Sequence, residues 1–281
     1  MSVLKTGGRI VALIATVMIV FCADMAGARH RRYTDPDLDA ALVIEAGTGK
    51  VLYARNDAAP RHPASLTKLM TLYLLFEKLH AHALTSAAML PVSPYAASQP
   101  RAHLRLRAGS AIDVETAIKA LVVCSANDVA VVVAEALAGS EQNFVVQMNG
   151  KARALGMMHT VYRNASGLPD DLQVTTADDL AILARHLIYD YPQYFSYFST
   201  ASMEWRGREI NTHDYLIGNY RGADGLKTGY TDASGYNLVS TAMRGHTRLI
   251  AVLMGGLSAE RRDEAMVDLL DDWFSRLQAG G

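Results

Sequence analysis

Apolar positions fall in short, strand-length runs at the two ends of the chain and in helical spacing between them. Residues 42–45 and 51–53 are strand-like runs flanking Gly47-Thr48-Gly49, which reads as a hairpin. Two further runs, 237–243 and 248–255, are joined by Arg244-Gly245-His246-Thr247. The block from about 63 to 189 is mainly helical, with an apolar-rich segment over 65–80, a helical run over 115–123 and an apolar run over 129–137. A last helical stripe has apolar residues at 266, 269, 270, 273, 274 and 277. Its polar face carries Asp268, Asp271 and Asp272, whereas membrane-surface helices are usually basic, so packing on the sheet is expected. Strands at both termini with helices between predict an α+β domain: one antiparallel sheet from both chain ends, helices on its faces, and an inserted, mainly helical lobe. The pattern does not fix strand order.

The chain has 281 residues, 50% of them hydrophobic and 20% charged, enough for a substantial core in one large domain or two small lobes. A formal net charge of -1 gives no electrostatic reason to expect nucleic acid as a partner. No glycine-rich phosphate loop, His-Glu-x-x-His or cysteine cluster is present, so no metal or cofactor is expected. His80 and His82 point to different faces of a helical pattern and read as a solvated helix end.

The N-terminus reads as a secretory signal over 1–28. Lys5 and Arg9 precede an apolar core over 10–21, and Ala26-Gly27-Ala28 offers a small-residue cleavage site. The apolar run is shorter than the ~20 residues a spanning helix needs, so cleavage is expected rather than a stable membrane anchor. Phe21 before Cys22 disfavours a lipoprotein site. Cleavage would leave Cys124, read as a buried structural thiol. Residues 29–281 are expected to form the catalytic domain, with nothing long enough after it for a further C-terminal domain.

Candidate chemistry starts at Ser65-Leu66-Thr67-Lys68. Residues at i and i+3 are neighbours on a helix, so the hydroxyl of Ser65 and the amine of Lys68 can meet. Serine needs a base to become a nucleophile, and lysine serves only when burial or nearby positive charge keeps it neutral. Alone, the tetrapeptide is an ordinary helix start; Ser2-Val3-Leu4-Lys5 and Lys5-Thr6-Gly7 are chance copies within the signal. Two companions change that. Ser125-Ala126-Asn127 lies between two helical runs, and Lys227-Thr228-Gly229 enters a strand-like region.

In that order the three motifs resemble those of penicillin-binding proteins and class A β-lactamases. The segments Asn164-Ala165-Ser166-Gly167-Leu168 and Asp224-Gly225-Leu226-Lys227-Thr228-Gly229-Tyr230 resemble low-molecular-mass D-alanyl-D-alanine carboxypeptidases, a likeness running over about 41–277. No Glu-x-x-x-Asn segment follows Ser-x-Asn where a class A β-lactamase places its deacylating glutamate, and Ala126 replaces the common aspartate.

The resemblance implies a β-lactamase/transpeptidase-like fold and an exported bacterial enzyme of the periplasm or cell-wall space. It would remove the terminal D-alanine from peptidoglycan stem pentapeptides, with β-lactam antibiotics as slowly cleared covalent inhibitors. Ser65 would be the nucleophile, Lys68 its base, and Ser125 the proton donor to the leaving nitrogen. Asn127 would bind the substrate's amide backbone, and Lys227 with Thr228 its carboxylate. The backbone N–H groups of Ser65 and of Tyr230, which follows Gly229, would hold the oxyanion. A D,D-endopeptidase, a β-lactamase and a penicilloyl-binding sensor remain alternatives.

Overall fold

The computed structural model describes residues 35–279; the expected signal over 1–28, with its chance motif copies, lies outside them. β1 (Ala40–Glu45) and β2 (Val51–Arg55) form the expected first hairpin. Its turn passes through Gly49 at φ 74°, a conformation glycine adopts without steric cost. α1 (Lys68–His80) follows. β3 (Met89–Pro91) and β4 (Ala111–Asp113) pair across a connection that holds the single turn α2 (Pro94–Ala97). Next come α3 (Val114–Lys119), α4 (Asn127–Ala138), α5 (Glu141–Leu155), α6 (Ala177–Asp190) and the short α7 (Pro192–Phe195). Asp113, Ser140 and Thr176 cap α3, α5 and α6, each side chain accepting from a backbone N–H three residues on. A small hairpin of β5 (Ser202–Trp205) and β6 (Arg208–Asn211) precedes β7 (Ala223–Thr231), β8 (Gly235–Arg244), β9 (Thr247–Gly256) and α8 (Ala259–Ala279).

The main sheet is antiparallel with order β2-β1-β9-β8-β7, so strands from both ends of the chain meet where β1 pairs with β9. Side chains alternate between its faces. Leu249, Ala251 and Leu253 of β9 pack with Met266, Leu270 and Phe274 of α8, while Ile250, Val252 and Met254 enter the larger core with α1 and α6. Both faces are covered, so β9 reads as a continuous apolar run and not as an alternating one. Packing of α8 on the sheet, over its whole apolar stripe, agrees with the expectation from its acidic outer face. α1 is buried on all sides from Leu69 to Phe76, as the central helix of the lobe. The β3–β4 and β5–β6 ladders fall outside the expected pattern, because strands of three or four residues carry too little periodicity to register. No single helix among the described residues is long and apolar enough to cross a membrane.

Candidate active site

Ser65 sits on a 3₁₀ turn, Ala64–Thr67, that runs directly into α1. With three residues per turn, positions i and i+3 eclipse, which puts the Lys68 amine beneath the Ser65 hydroxyl. Lys68 Nζ lies 3.1 Å from Ser65 Oγ, 2.8 Å from Asn127 Oδ1 and 2.5 Å from the Ser166 carbonyl oxygen. Lys68 is fully buried. Burial first, then the charge of Lys227, holds its pKa well below the ordinary lysine value, with Asp128 opposing. A neutral amine has two hydrogens and one lone pair. Asn127 and Ser166 take the hydrogens, and the lone pair is left for the proton of Ser65.

Two features hold this arrangement in place. Asn164 Oδ1 accepts from the backbone N–H groups of Ser166 and Gly167, tightening a loop that presents the Ser166 carbonyl to Lys68. Gly167 has φ 87°, and a Cβ there would lie 1.8 Å from the Ala64 carbonyl oxygen, so only glycine lets the loop press on the turn bearing Ser65. The Ser166 carbonyl is a member of the site that the sequence signals only through the Asn164-to-Leu168 segment. Glu141, downstream of Ser-x-Asn, is buried and accepts from Ala165 N and the Tyr95 hydroxyl, which makes it a prop of the same loop.

Ser125 follows a π-helical turn, Ala120–Cys124, and adopts φ 55°, ψ 37°. A left-handed serine costs of order 1–3 kcal/mol and persists where the surroundings impose it. Here the widened turn swings the hydroxyl to the cleft, where it is buried without a hydrogen-bond partner among the described residues. Asn127 opens α4. Besides accepting from Lys68, its amide donates to the carbonyls of Pro100 and Arg101 at 3.1 and 2.9 Å. Both donor hydrogens are therefore engaged within the protein, while Lys68 takes one of the two lone pairs of the amide oxygen. Asn127 thereby positions Lys68 against the 100–106 loop and also lines the cleft.

β7 forms one edge of the sheet and of the cleft. A Cβ at Gly229 would lie 3.1 Å from Ser65 N, so the glycine lets the strand pass beside the nucleophile and brings Tyr230 next to it. Thr228 lines the cleft. Lys227 does not. Its ammonium is buried and donates to the Thr228 carbonyl oxygen at 3.0 Å. Burial pushes its pKa down to about 8; Asp214 opposes this and Arg262 adds to it. Burial likewise raises Asp214 to about 6. Lys227, expected to hold a substrate carboxylate, thus lies beneath the strand with its ammonium off the cleft lining. A cation that does line the cleft wall is Arg262, in the first turn of α8, 3% exposed and bonded to Asp263. Sequence reasoning missed it, since nothing in Glu260-Arg261-Arg262-Asp263 sets it apart from an ordinary helix start.

Ser65, Ser125, Asn127, Thr228, Tyr230 and Arg262 together face one cleft of about 740 Å³. Tyr230 and Tyr236 form an aromatic wall at its rim, ring centroids 4.2 Å apart. The site combines a half-buried nucleophile on a buried amine, an unpartnered hydroxyl and a cationic end wall, a set suited to acyl transfer on a substrate ending in a carboxylate.

Comparison with known proteins agrees with this chemistry. The sequence profile of D-alanyl-D-alanine carboxypeptidases matches residues 29–258. The D-alanyl-D-alanine carboxypeptidase DacF of Bacillus subtilis is 32% identical over 275 residues, covering 95% of this chain and 70% of that protein. DacD of Escherichia coli is 34% identical over 244 residues, 84% of this chain and 63% of its own length. The chain thus spans about two thirds of these relatives. Penicillin-binding protein 5 of Haemophilus influenzae superposes with a TM-score of 0.81 at 29% identity, over 84% of this chain and 70% of that one. Penicillin-binding protein D2 of Listeria monocytogenes, solved in its ampicillin-bound form, gives 0.72 at 32% identity, over 83% and 95%. The chain belongs to the D-alanyl-D-alanine carboxypeptidase family of serine peptidases.

Proposed function

We propose that this protein removes the terminal D-alanine from peptidoglycan stem peptides through an acyl-enzyme on Ser65. The observation that carries the reading is the placement of Lys68: buried, with Nζ within hydrogen-bond distance of Asn127 Oδ1, the Ser166 carbonyl oxygen and Ser65 Oγ, so that a neutral amine giving its hydrogens to the first two keeps its lone pair for Ser65. Lys68 accepts the Ser65 proton as Oγ attacks the penultimate D-alanyl carbonyl. The oxyanion is held by the backbone N–H groups of Ser65 and Tyr230, donors of a kind worth roughly 3 kcal/mol each. Ser125 passes a proton to the departing nitrogen as the peptide C–N bond breaks, and D-alanine leaves. Water then attacks the ester, its proton returning through Lys68, and Ser65 is released. Thr228 and Arg262 hold the substrate's terminal carboxylate. The same geometry takes a β-lactam, whose opened ring stays attached to Ser65; the ampicillin-bound relative supports this extension.

Residues 1–28 are proposed as a cleaved export signal that delivers the enzyme to the space outside the cytoplasmic membrane. The mass of the mature N-terminus tests this: a chain retaining Met1 overturns it. For the activity, purified protein is incubated with a soluble pentapeptide and free D-alanine is measured. Release that disappears in Ser65→Ala, together with fluorescent penicillin labelling, is expected. Absence of release by the wild-type protein, or release that survives Ser65→Ala, overturns the reading.

A further inference from the structure

The 100–107 loop runs along the cleft wall opposite β7 and is cinched from behind. Asn127 holds the carbonyls of Pro100 and Arg101, and the buried Asp128 carboxylate accepts from Leu104 N and Leu106 N at 3.1 and 3.0 Å. Leu104 and Leu106 are buried, and the alternating Arg105 and Arg107 project outward. Arg101, also exposed, lines the cleft itself.

The β5–β6 hairpin adds to this surface. Trp205 Nε1 donates to the Leu104 carbonyl oxygen at 3.1 Å, which fastens the hairpin tip to the loop. Opposed residues on paired strands share a face, so Arg208, opposite Trp205, lies on the loop side, while the opposed Glu204 and Glu209 lie on the other. Arg206 stacks over the Trp205 ring at 5.2 Å. Arg101, Arg105, Arg107, Arg206 and Arg208 make no ion pair among the described residues. Arg55, Arg244, Arg248 and Arg276, elsewhere on the protein, each hold a carboxylate. In a chain of net charge -1 this is a local concentration of free positive charge, and it begins inside the catalytic cleft.

We propose that this arginine patch is an accessory binding surface for the carboxylate-bearing strands of peptidoglycan, gripping the polymer outside its reacting end. It rests on the function proposed above and extends it from the terminal dipeptide to the rest of the substrate. Continuity decides the occupant. Arg101 shares the cleft with Ser65, so a peptide leaving the cleft on this side meets the patch, and its free carboxylates match guanidinium geometry. An anionic bilayer seated on the same arginines would close the cleft mouth.

The test uses the full mature protein and the variant Arg105→Gln/Arg107→Gln/Arg206→Gln/Arg208→Gln, with Arg101 left in place. Cosedimentation with purified sacculi freed of other anionic polymers is measured against salt. D-alanine release from soluble pentapeptide and acylation by fluorescent penicillin are measured beside it. Sacculus binding is expected to fall about tenfold and to lose most of its salt dependence, while turnover and acylation stay within about twofold. Wild-type protein should show the same loss on sacculi whose carboxylates have been amidated. Unchanged binding by the variant, or undiminished wild-type binding to amidated sacculi, overturns the proposal. So does a variant that loses only its binding to phosphatidylglycerol vesicles. Patch-dependent sacculus binding by a protein that releases no D-alanine supports the surface and rejects the activity, so the two inferences fail separately.

Discussion

Lys68 and Lys227 are both buried lysines whose pKa burial lowers, each with an aspartate opposing. Lys68 is pushed further toward its neutral form by the charge of Lys227, whereas for Lys227 the opposing Asp214 is the largest influence after burial. Lys68→Arg keeps charge and approximate size but is effectively never deprotonated. It should reduce penicillin acylation to near background while the protein stays folded; acylation near the wild-type rate would remove Lys68 as base. Lys227 has a folded pKa of about 8, so its charge is present below that pH and lost as pH rises through it. Its field on Lys68 then vanishes, so kcat/KM on pentapeptide should decline on the alkaline side of about 8. Because Lys227 acts from beneath β7, Lys227→Ala should slow free-carboxylate and amidated peptides alike, whereas Arg262→Gln should raise KM for the free carboxylate alone. A selective carboxylate loss in Lys227→Ala would return the binding role to Lys227. The Ser65, Lys68, Ser125 and Lys227 motifs were legible because their spacing is local. Arg262 and the Ser166 carbonyl were not, since one comes from a distant helix and the other is a main-chain atom.

The π-helical turn before Ser125 shows what an element-level pattern conceals. Residues 115–123 read as one helix, and Ala-Leu-Val-Val-Cys carries nothing that marks a wider turn. Tertiary demands select it: α4 must start where Asn127 reaches Lys68 and Asp128 reaches the 104–106 backbone, and the widened turn absorbs the mismatch. The Ser125 hydroxyl gains no hydrogen bond in return. Ser125→Ala should therefore leave the melting temperature unchanged or slightly raised, while D-alanine release falls by roughly 10²- to 10⁴-fold, the range for a lost proton-transfer group. A large fall in melting temperature would mean that the hydroxyl has a structural partner. Gly167→Ala should do the reverse at the neighbouring element, because the methyl must displace the Ala64 carbonyl. Its signature is lower stability together with slower acylation, read by thermal melting and penicillin labelling.

At the scale of the molecule, the α+β class and a sheet built from both chain ends were legible from the alternation of run lengths. Strand order was not, since the apolar runs do not by themselves say which pair at the centre. The 10-residue β8 and β9 settle inside because both their faces are covered, one by α8 and one by the helical lobe. α8 is thus part of the core. Leu270→Ala should cost about 2–5 kcal/mol, measured by urea unfolding, with the acylation rate at low temperature little changed.

The pairing of β1 with β9, Ala40 opposite Met254, also governs when the protein can fold. A chain emerging N-terminus first has its nucleophile turn and helical lobe available early, but β1 has no inner neighbour until the last strand arrives. Closing a loop of that length is slow compared with local helix formation. Such a chain stays unlocked through most of its synthesis, and a fragment stopped before β9 leaves β1 with an open edge that invites pairing between molecules. Activity should therefore appear late and all at once. Refolding after dilution from urea should restore penicillin acylation with the slow formation of the sheet rather than with the early rise of helical signal.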